Sequence, residues 1–317
     1  MLAFIRRNIK FIVFCSILAV PVAAVLVFFI RYPVIIVTND DIKAIYGEER
    51  ARRREIFASI ALFRRVKPVV IPDTLSPDLI IITIAETAKR QFCVLFPFAY
   101  SETAAQYHYE FPDTKVVLLA GNAETAGLPS ANGIFCVYRT NQSTDLYRAG
   151  LFAGIIGEAR QKAAEKALAG NESESVQNLD VALLHGALLH SDYLEHFSKG
   201  VEERFPDSNV VFFKTVSEMP DSRTLSSVTL VGTASEYFER APRAPLIIFS
   251  WLNPEFVPET VRVIFDDSVW ALAVPAVRMA AKKTAVGEIS SKTLMISGKP
   301  ADNVVLKRLR RSAGKTL

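Results

Sequence analysis

Cysteine is scarce, with three residues in 317, too few for a disulfide scaffold in a chain this long. The common catalytic signatures are missing too. No Gly-x-Gly-x-x-Gly follows a strand-like run, no phosphate-binding loop ends in Gly-Lys-Ser/Thr, and no Gly-x-Ser-x-Gly occurs. Those absences exclude the common dinucleotide-binding, P-loop and nucleophile-elbow classes. Acidic residues are absent from residues 1–31, which hold four of the 37 basic residues (Arg6, Arg7, Lys10 and Arg31). The remaining 33 bases balance the 33 acids, so residues 32–317 are formally neutral. A neutral domain has no general pull on phosphate backbones, and no nucleic-acid partner is expected.

What the sequence does contain is one long apolar run. Phe11 to Ile30 is twenty residues without a charged side chain. At about 1.5 Å per residue, a helix of that length spans the ~30 Å hydrocarbon core of a bilayer. Arg6, Arg7 and Lys10 on its N-terminal side favour a cytoplasmic N-terminus. The expectation is a single-pass anchor in a bacterial cytoplasmic membrane (1–31), with residues 32–317 in the periplasm or cell exterior. Two alternatives stand beside it: cleavage near Val22-Ala23-Ala24 and lipidation of Cys15. Against the first, six more apolar residues follow before Arg31; against the second, bulky Phe14 precedes Cys15.

Beyond the anchor, short apolar runs alternate with amphipathic stretches. Strands are expected at 34–37, 69–71, 92–96, 116–120, 134–138, 181–184, 210–213, 228–231, 246–250, 261–265 and 294–296. Helices are expected between most of them, the longest from Thr144 to about Leu168. In the charged helix expected after Asp41, Glu48/Arg52 and Glu49/Arg53 have the supportive i,i+4 spacing. Ser76-Pro77-Asp78 reads as a helix start. Strand–helix alternation of this size argues for an α/β fold of parallel sheets covered on both faces. In doubly wound order the strand at 116–120 separates Cys93 from Cys136. The two lie then about 9–10 Å apart, beyond the ~7 Å at which a disulfide closes. Gly170 to Gln177 reads as a surface loop, and Lys307 to Arg311 as a solvated tail.

Candidate chemistry is sparse. His185, His190, Asp192 and His196 cluster within twelve residues, but their spacing fits no standard metal pattern. Asp266 and Asp267 are adjacent, so on a strand they point to opposite faces. No metal, cofactor or enzymatic activity is expected. The strand ends instead carry polar and aromatic residues: Asn39 and Asp40, Phe98 and Tyr100, Trp251 and Asn253. Ligands of open α/β sheets bind at the carboxyl ends of strands, and aromatic platforms with a few polar groups suit a small molecule.

Several stretches resemble one family. They are Phe92-Cys93-Val94-Leu95-Phe96-Pro97-Phe98-Ala99-Tyr100, Phe111-Pro112-Asp113-Thr114-Lys115, Leu146-Tyr147-Arg148-Ala149-Gly150, and Phe197-Ser198-Lys199-Gly200-Val201 with Phe205-Pro206-Asp207. Their order is similar to that of the basic membrane protein family of type I periplasmic binding proteins, the nucleoside-binding lipoproteins of bacterial ABC transporters. The resemblance implies a two-lobed fold that closes on a small, nucleoside-like molecule for uptake through an ABC permease. It implies a first lobe of 33–140 with a return near 255–285, and a second of 141–250 plus the C-terminal strand. Asn39, Asp40, Phe98, Tyr100, Trp251 and Asn253 are the expected ligand contacts, with Trp251 or Phe98 stacking. One departure stands out. The family's Gly-Val-Asp-x-Asp-Gln loop reads Phe249-Ser250-Trp251-Leu252-Asn253-Pro254 here, with Trp251 at the carboxylate position. The second expectation is therefore an ectodomain that has lost its ligand and serves as a sensory or structural envelope partner.

Overall fold

A computed structural model describes residues 19–72, 75–121, 127–168, 179–186, 191–221, 223–232, 234–240 and 243–296. Cys15, His190, the loop 170–177 and the tail 307–311 lie outside the described residues, as does the first part of the apolar run.

The chain forms two compact units. The first comprises Met1–Lys43, Glu48–Tyr138 and Ala273–Gly287; the second comprises Ala44–Gly47, Arg139–Leu272 and Glu288–Leu317. In chain order the first half holds helix α1 (described over 19–30), β1 (Val34–Thr38), α2 (Asp40–Tyr46), α3 (Glu48–Leu62) and β2 (Val66–Val70). It continues with α4 (Pro77–Thr87), β3 (Cys93–Pro97), α5 (Ser101–Glu110), β4 (Lys115–Gly121) and β5 (Phe135–Thr140). Then come α6 (Gln142–Leu168), β6 (Asp180–Leu184), α7 (Ser191–Arg204), β7 (Val210–Phe213), β8 (Leu225–Val231), α8 (Ala234–Phe238) and β9 (Leu246–Phe249). The chain closes with β10 (Val261–Asp266), α9 (Val269–Ala281), β11 (Val286–Ile289) and β12 (Lys292–Met295).

Each unit is built on a six-stranded sheet. The orders are β11-β5-β4-β3-β1-β2 and β12-β10-β9-β8-β6-β7. β1 runs parallel to both β2 and β3, and β3 to β4. In the second sheet β6, β7, β8, β9 and β10 pair in parallel, and β12 runs antiparallel to β10. Residues on both faces are buried. Ile35, Val37, Val94, Phe96, Val116 and Leu118 fill one core of the first unit. Their neighbours Val34, Ile36, Leu95 and Val117, pointing the other way, are also fully buried. In the second unit Val181, Leu183, Ile247 and Val263 meet α6 and α7, while Leu184, Leu230, Ile248 and Ile264 fill the opposite core. Double-sided burial is what near-continuous apolar strands require.

β4 lies between β3 and β5, so it separates Cys93 from Cys136 as expected; both thiols are buried and free. Burial pushes both thiols above their ordinary range.

Three expectations need correction. The strand at 261–265 does not return to the first lobe: β10 sits between β9 and β12 in the second sheet. Its alternate side chains supply both cores of that unit, which is why it stays there, and the return begins only at Ala273. β11 went unrecognised because Val-Gly-Glu-Ile is an edge strand with two exposed positions and no apolar run. The single charged helix expected after Asp41 is two helices, the first starting at Asp40, broken at Gly47, whose φ is +97°. Glu49 pairs with Arg53 at 2.5 Å as the spacing predicts, whereas Glu48 reaches back across the break to Lys43 at 3.2 Å.

Candidate functional site

At the first sheet's carboxyl edge, β1 and β3 are adjacent and parallel, so Asn39 and Phe98 leave from the same edge. Asn39 is a helix cap. Its side-chain oxygen accepts from the backbone N–H of Ile42 at 2.6 Å, satisfying a donor that the start of α2 leaves open. Asp40 and Asp41 follow in the first turn, where the helix dipole favours them. Phe98 opens a single 3-10 turn after β3 and is 37% exposed. Tyr100, two residues on, packs against the first core. Phe98 therefore presents an aromatic face at this edge, and Tyr100 mainly closes the core beneath it.

The second sheet's carboxyl edge carries Trp251 and Asn253. Trp251 is half-buried two residues beyond β9. The Ser250 hydroxyl accepts from the backbone N–H of Leu252 at 3.1 Å, and the Ser250 N–H donates to the Phe265 carbonyl at 3.0 Å. These bonds fix the loop on either side of Trp251. Asn253 caps the next 3-10 turn, its side-chain oxygen accepting from the Glu255 N–H. Its own N–H donates to the Ile45 carbonyl at 2.8 Å. That approach needs a glycine nearby, because a Cβ on Gly47 would stand 2.8 Å from the Asn253 amide nitrogen.

Sequence reasoning set aside several residues at this same edge. Asp266 ends β10 and is fully buried. One oxygen accepts from the Tyr46 hydroxyl at 3.1 Å and the other from the Ser268 N–H at 3.0 Å. Asp267, next to it, is exposed, as expected for its alternate direction. Although solvent reaches its side chain, the surrounding protein and the neighbouring Asp266 carboxylate push its pKa up to about 6. His185, just past β6, is buried with no partner for Nδ1 among the described residues, while Asp192 and His196 on α7 are exposed. No cluster able to hold a metal occurs among the described residues. The signal for Asp266 and Asp267 was their place at the end of an apolar strand; nothing in the sequence tied Tyr46 to them.

The shift at Asp267 is testable. With its pKa above the ordinary 3.8, the folded state holds a proton that the unfolded state has lost between roughly pH 4 and pH 6. Its contribution to stability therefore declines as pH rises through that window. A carboxyl carbon resonance of Asp267 is expected to titrate near pH 6 and to vanish in Asp267→Asn. A midpoint near 4 would contradict the shift.

No protein-family profile matches this sequence, and no curated protein matches it. Solved structures do match. A transcriptional activator of the comK gene from Bacillus halodurans aligns with a TM-score of 0.51 at 13% identity, over 89% of this chain and 96% of that one. An ABC transporter system solute-binding protein from Conexibacter woesei DSM 14684 aligns with a TM-score of 0.51 at 12% identity, over 90% of this chain and 98% of that one. The chain has the type I periplasmic-binding-protein fold. In such doubly wound sheets, the carboxyl edges described above are where ligand groups collect. Of the six expected contacts, Asn39, Asp40, Phe98 and Tyr100 belong to the first unit and Trp251 and Asn253 to the second. Two of the six, Asn39 and Asn253, use a side-chain oxygen as a cap.

Proposed function

We propose that this chain is an extracytoplasmic solute-binding protein, a divergent relative of the basic membrane protein family, serving an ABC-type permease. Its ligand is a small molecule bound at the carboxyl edge of a parallel sheet, where the second unit presents Trp251, and nucleoside-like compounds head the candidates. The observation that carries this reading is the type I fold together with the half-buried Trp251 on a fixed loop after β9. A flat indole in that position suits stacking on a ring.

The tether belongs to the same proposal. No helix among the described residues is long and apolar enough to cross a membrane. The described part of α1 nonetheless leaves Val20, Leu26, Phe29 and Ile30 exposed, Ile30 at 76%. Apolar side chains left this exposed suit a lipid environment, and 11–18 continue the same uncharged run.

A thermal-shift panel of nucleosides, bases, sugars and amino acids on the full chain in detergent tests the function. Ligand at 100 times its dissociation constant stabilises by about 2.7 kcal/mol, a rise of several degrees. Trp251→Ala is expected to weaken the hit at least tenfold without changing the unliganded melting point by more than a few degrees. A smaller loss would remove Trp251 from the site. The second reading, a ligand-free sensory or structural envelope partner, is favoured by Trp251 at the position of the family's carboxylate. No hit from a cooperatively folding sample would select it.

A further inference from the structure

We infer that the C-terminal half of α3 is a second, peripheral contact with the lipid bilayer, lying in the outer interface beside the emerging α1. The inference rests on the tether proposed above.

α3 is divided along its length. Residues 48–55 carry seven charges, whereas 56–62 carry none. In the uncharged half Ala58 is buried, while Ile56, Phe57 and Ile60 are 51%, 56% and 72% exposed. With Phe63 they follow the spacing i, i+1, i+4, i+7, which is one face of a helix. Single exposed apolar residues need no explanation, but a contiguous apolar patch marks a contact surface.

The position of the patch indicates what covers it. Phe63, with φ +49°, turns the chain from α3 toward β2. Its ring centroid lies 5.9 Å from that of Phe28, near the outer end of α1. If the run Phe11 to Ile30 spans the bilayer, Phe28 is two residues from its end, and a ring packed on Phe28 is at interface depth. The surroundings have matching chemistry. Arg31 sits 5.3 Å from the centre of the Phe63 ring, and Arg65 lies 5.9 Å from that of Phe29. Arg64 donates to the Tyr32 carbonyl at 3.1 Å, and Arg90 to the Tyr32 hydroxyl at 3.2 Å. Residues 26–36 and 56–68 contain no acid. Aromatic rings gather at headgroup level, guanidinium groups pair with phosphate, and arginine stems lie along apolar surface. An apolar helix face whose C-terminal end is flanked by Arg31, Arg64 and Arg65 complements an anionic lipid surface rather than a second copy of the same basic flank. The result is a domain held against the membrane at two points.

The test uses the full chain with Cys15→Ser, reconstituted in phosphatidylcholine–phosphatidylglycerol vesicles with and without headgroup-proximal nitroxide lipid. Cys93 and Cys136 are buried, so a fluorophore attaches at Ile60→Cys or, separately, at Phe29→Cys. Both sites are expected to be quenched at least twofold by the nitroxide lipid. Quenching at Phe29 without quenching at Ile60 would overturn this inference and leave the tether standing. Quenching at neither would overturn both.

Discussion

Gly200→Ala is expected to cost about 3 kcal/mol, at the upper end of overpacking substitutions, and to lower the melting midpoint by on the order of 10 °C. The cause is the crossing of α6 and α7. A Cβ on Gly200 would stand 2.2 Å from the Tyr147 carbonyl oxygen and 2.9 Å from the Leu151 nitrogen. Both atoms are backbone in the middle of α6, so no rotamer change relieves the clash. The facing position is equally tight, since a Cβ on Gly150 would meet the Phe197 carbonyl oxygen at 2.1 Å. The helices must separate for either methyl, and once separated they accept the second more easily. Gly150→Ala/Gly200→Ala should therefore cost clearly less than the sum of the single variants. Denaturant titrations followed by circular dichroism would show this; two additive losses under 1 kcal/mol each would mean the helices do not touch through backbone.

Arg148→Ala should be comparably damaging for an electrostatic reason. Arg148 and Asp145, one turn apart on α6, are both buried, and their side chains meet at 3.4 Å. Arg148 also donates to the Ser291 carbonyl at 3.2 Å and to the Thr293 hydroxyl. Its guanidinium lies 5.5 Å from the centre of the Phe265 ring. Asp145 accepts from the Ser291 N–H at 2.8 Å. Burial holds the Asp145 pKa above its ordinary value, and the bonds from Ser291 and the charge of Arg148 offset this only in part; burial lowers that of Arg148. Removing the cation leaves a buried carboxylate without its partner, at a cost of about 3–5 kcal/mol. Replacing both partners, Asp145→Asn with Arg148→Met, should recover most of that loss. A double variant as unstable as Arg148→Ala would place the cost in lost packing. The same contacts tie the start of α6 to the segment joining β11 and β12.

How much of this was legible in the sequence follows from what each residue contacts. The apolar runs at 92–96 and 181–184 announced strands buried on both faces, and Pro77 announced the start of α4. The strand between the two cysteines followed once doubly wound order was assumed for the alternating strands and helices, and the sheet has that order around β4. Asn39 and Asn253 were visible as polar strand ends, but their capping bonds depend on turn geometry that residue identity does not carry. Tyr46 was invisible for another reason: its partner Asp266 is 220 positions away, and no local pattern encodes that distance. Asp266 and Asp267 were legible as a pair, but their divergence into a buried acceptor and a raised, exposed acid needed the surrounding fold.

The sequence by itself determined the class of this protein: an uncharged N-terminal run, a neutral α/β domain, parallel sheets and thiols kept apart by an intervening strand. Those properties come from composition and periodicity, which act over a few neighbouring residues. The tertiary structure alone decided that β10 serves the second sheet, that Gly150 and Gly200 let two helices meet backbone to backbone, and that α3 turns an apolar face outward beside Phe28. Each of these depends on which distant segments share space, and burial and steric contact settle that only when the whole chain is folded.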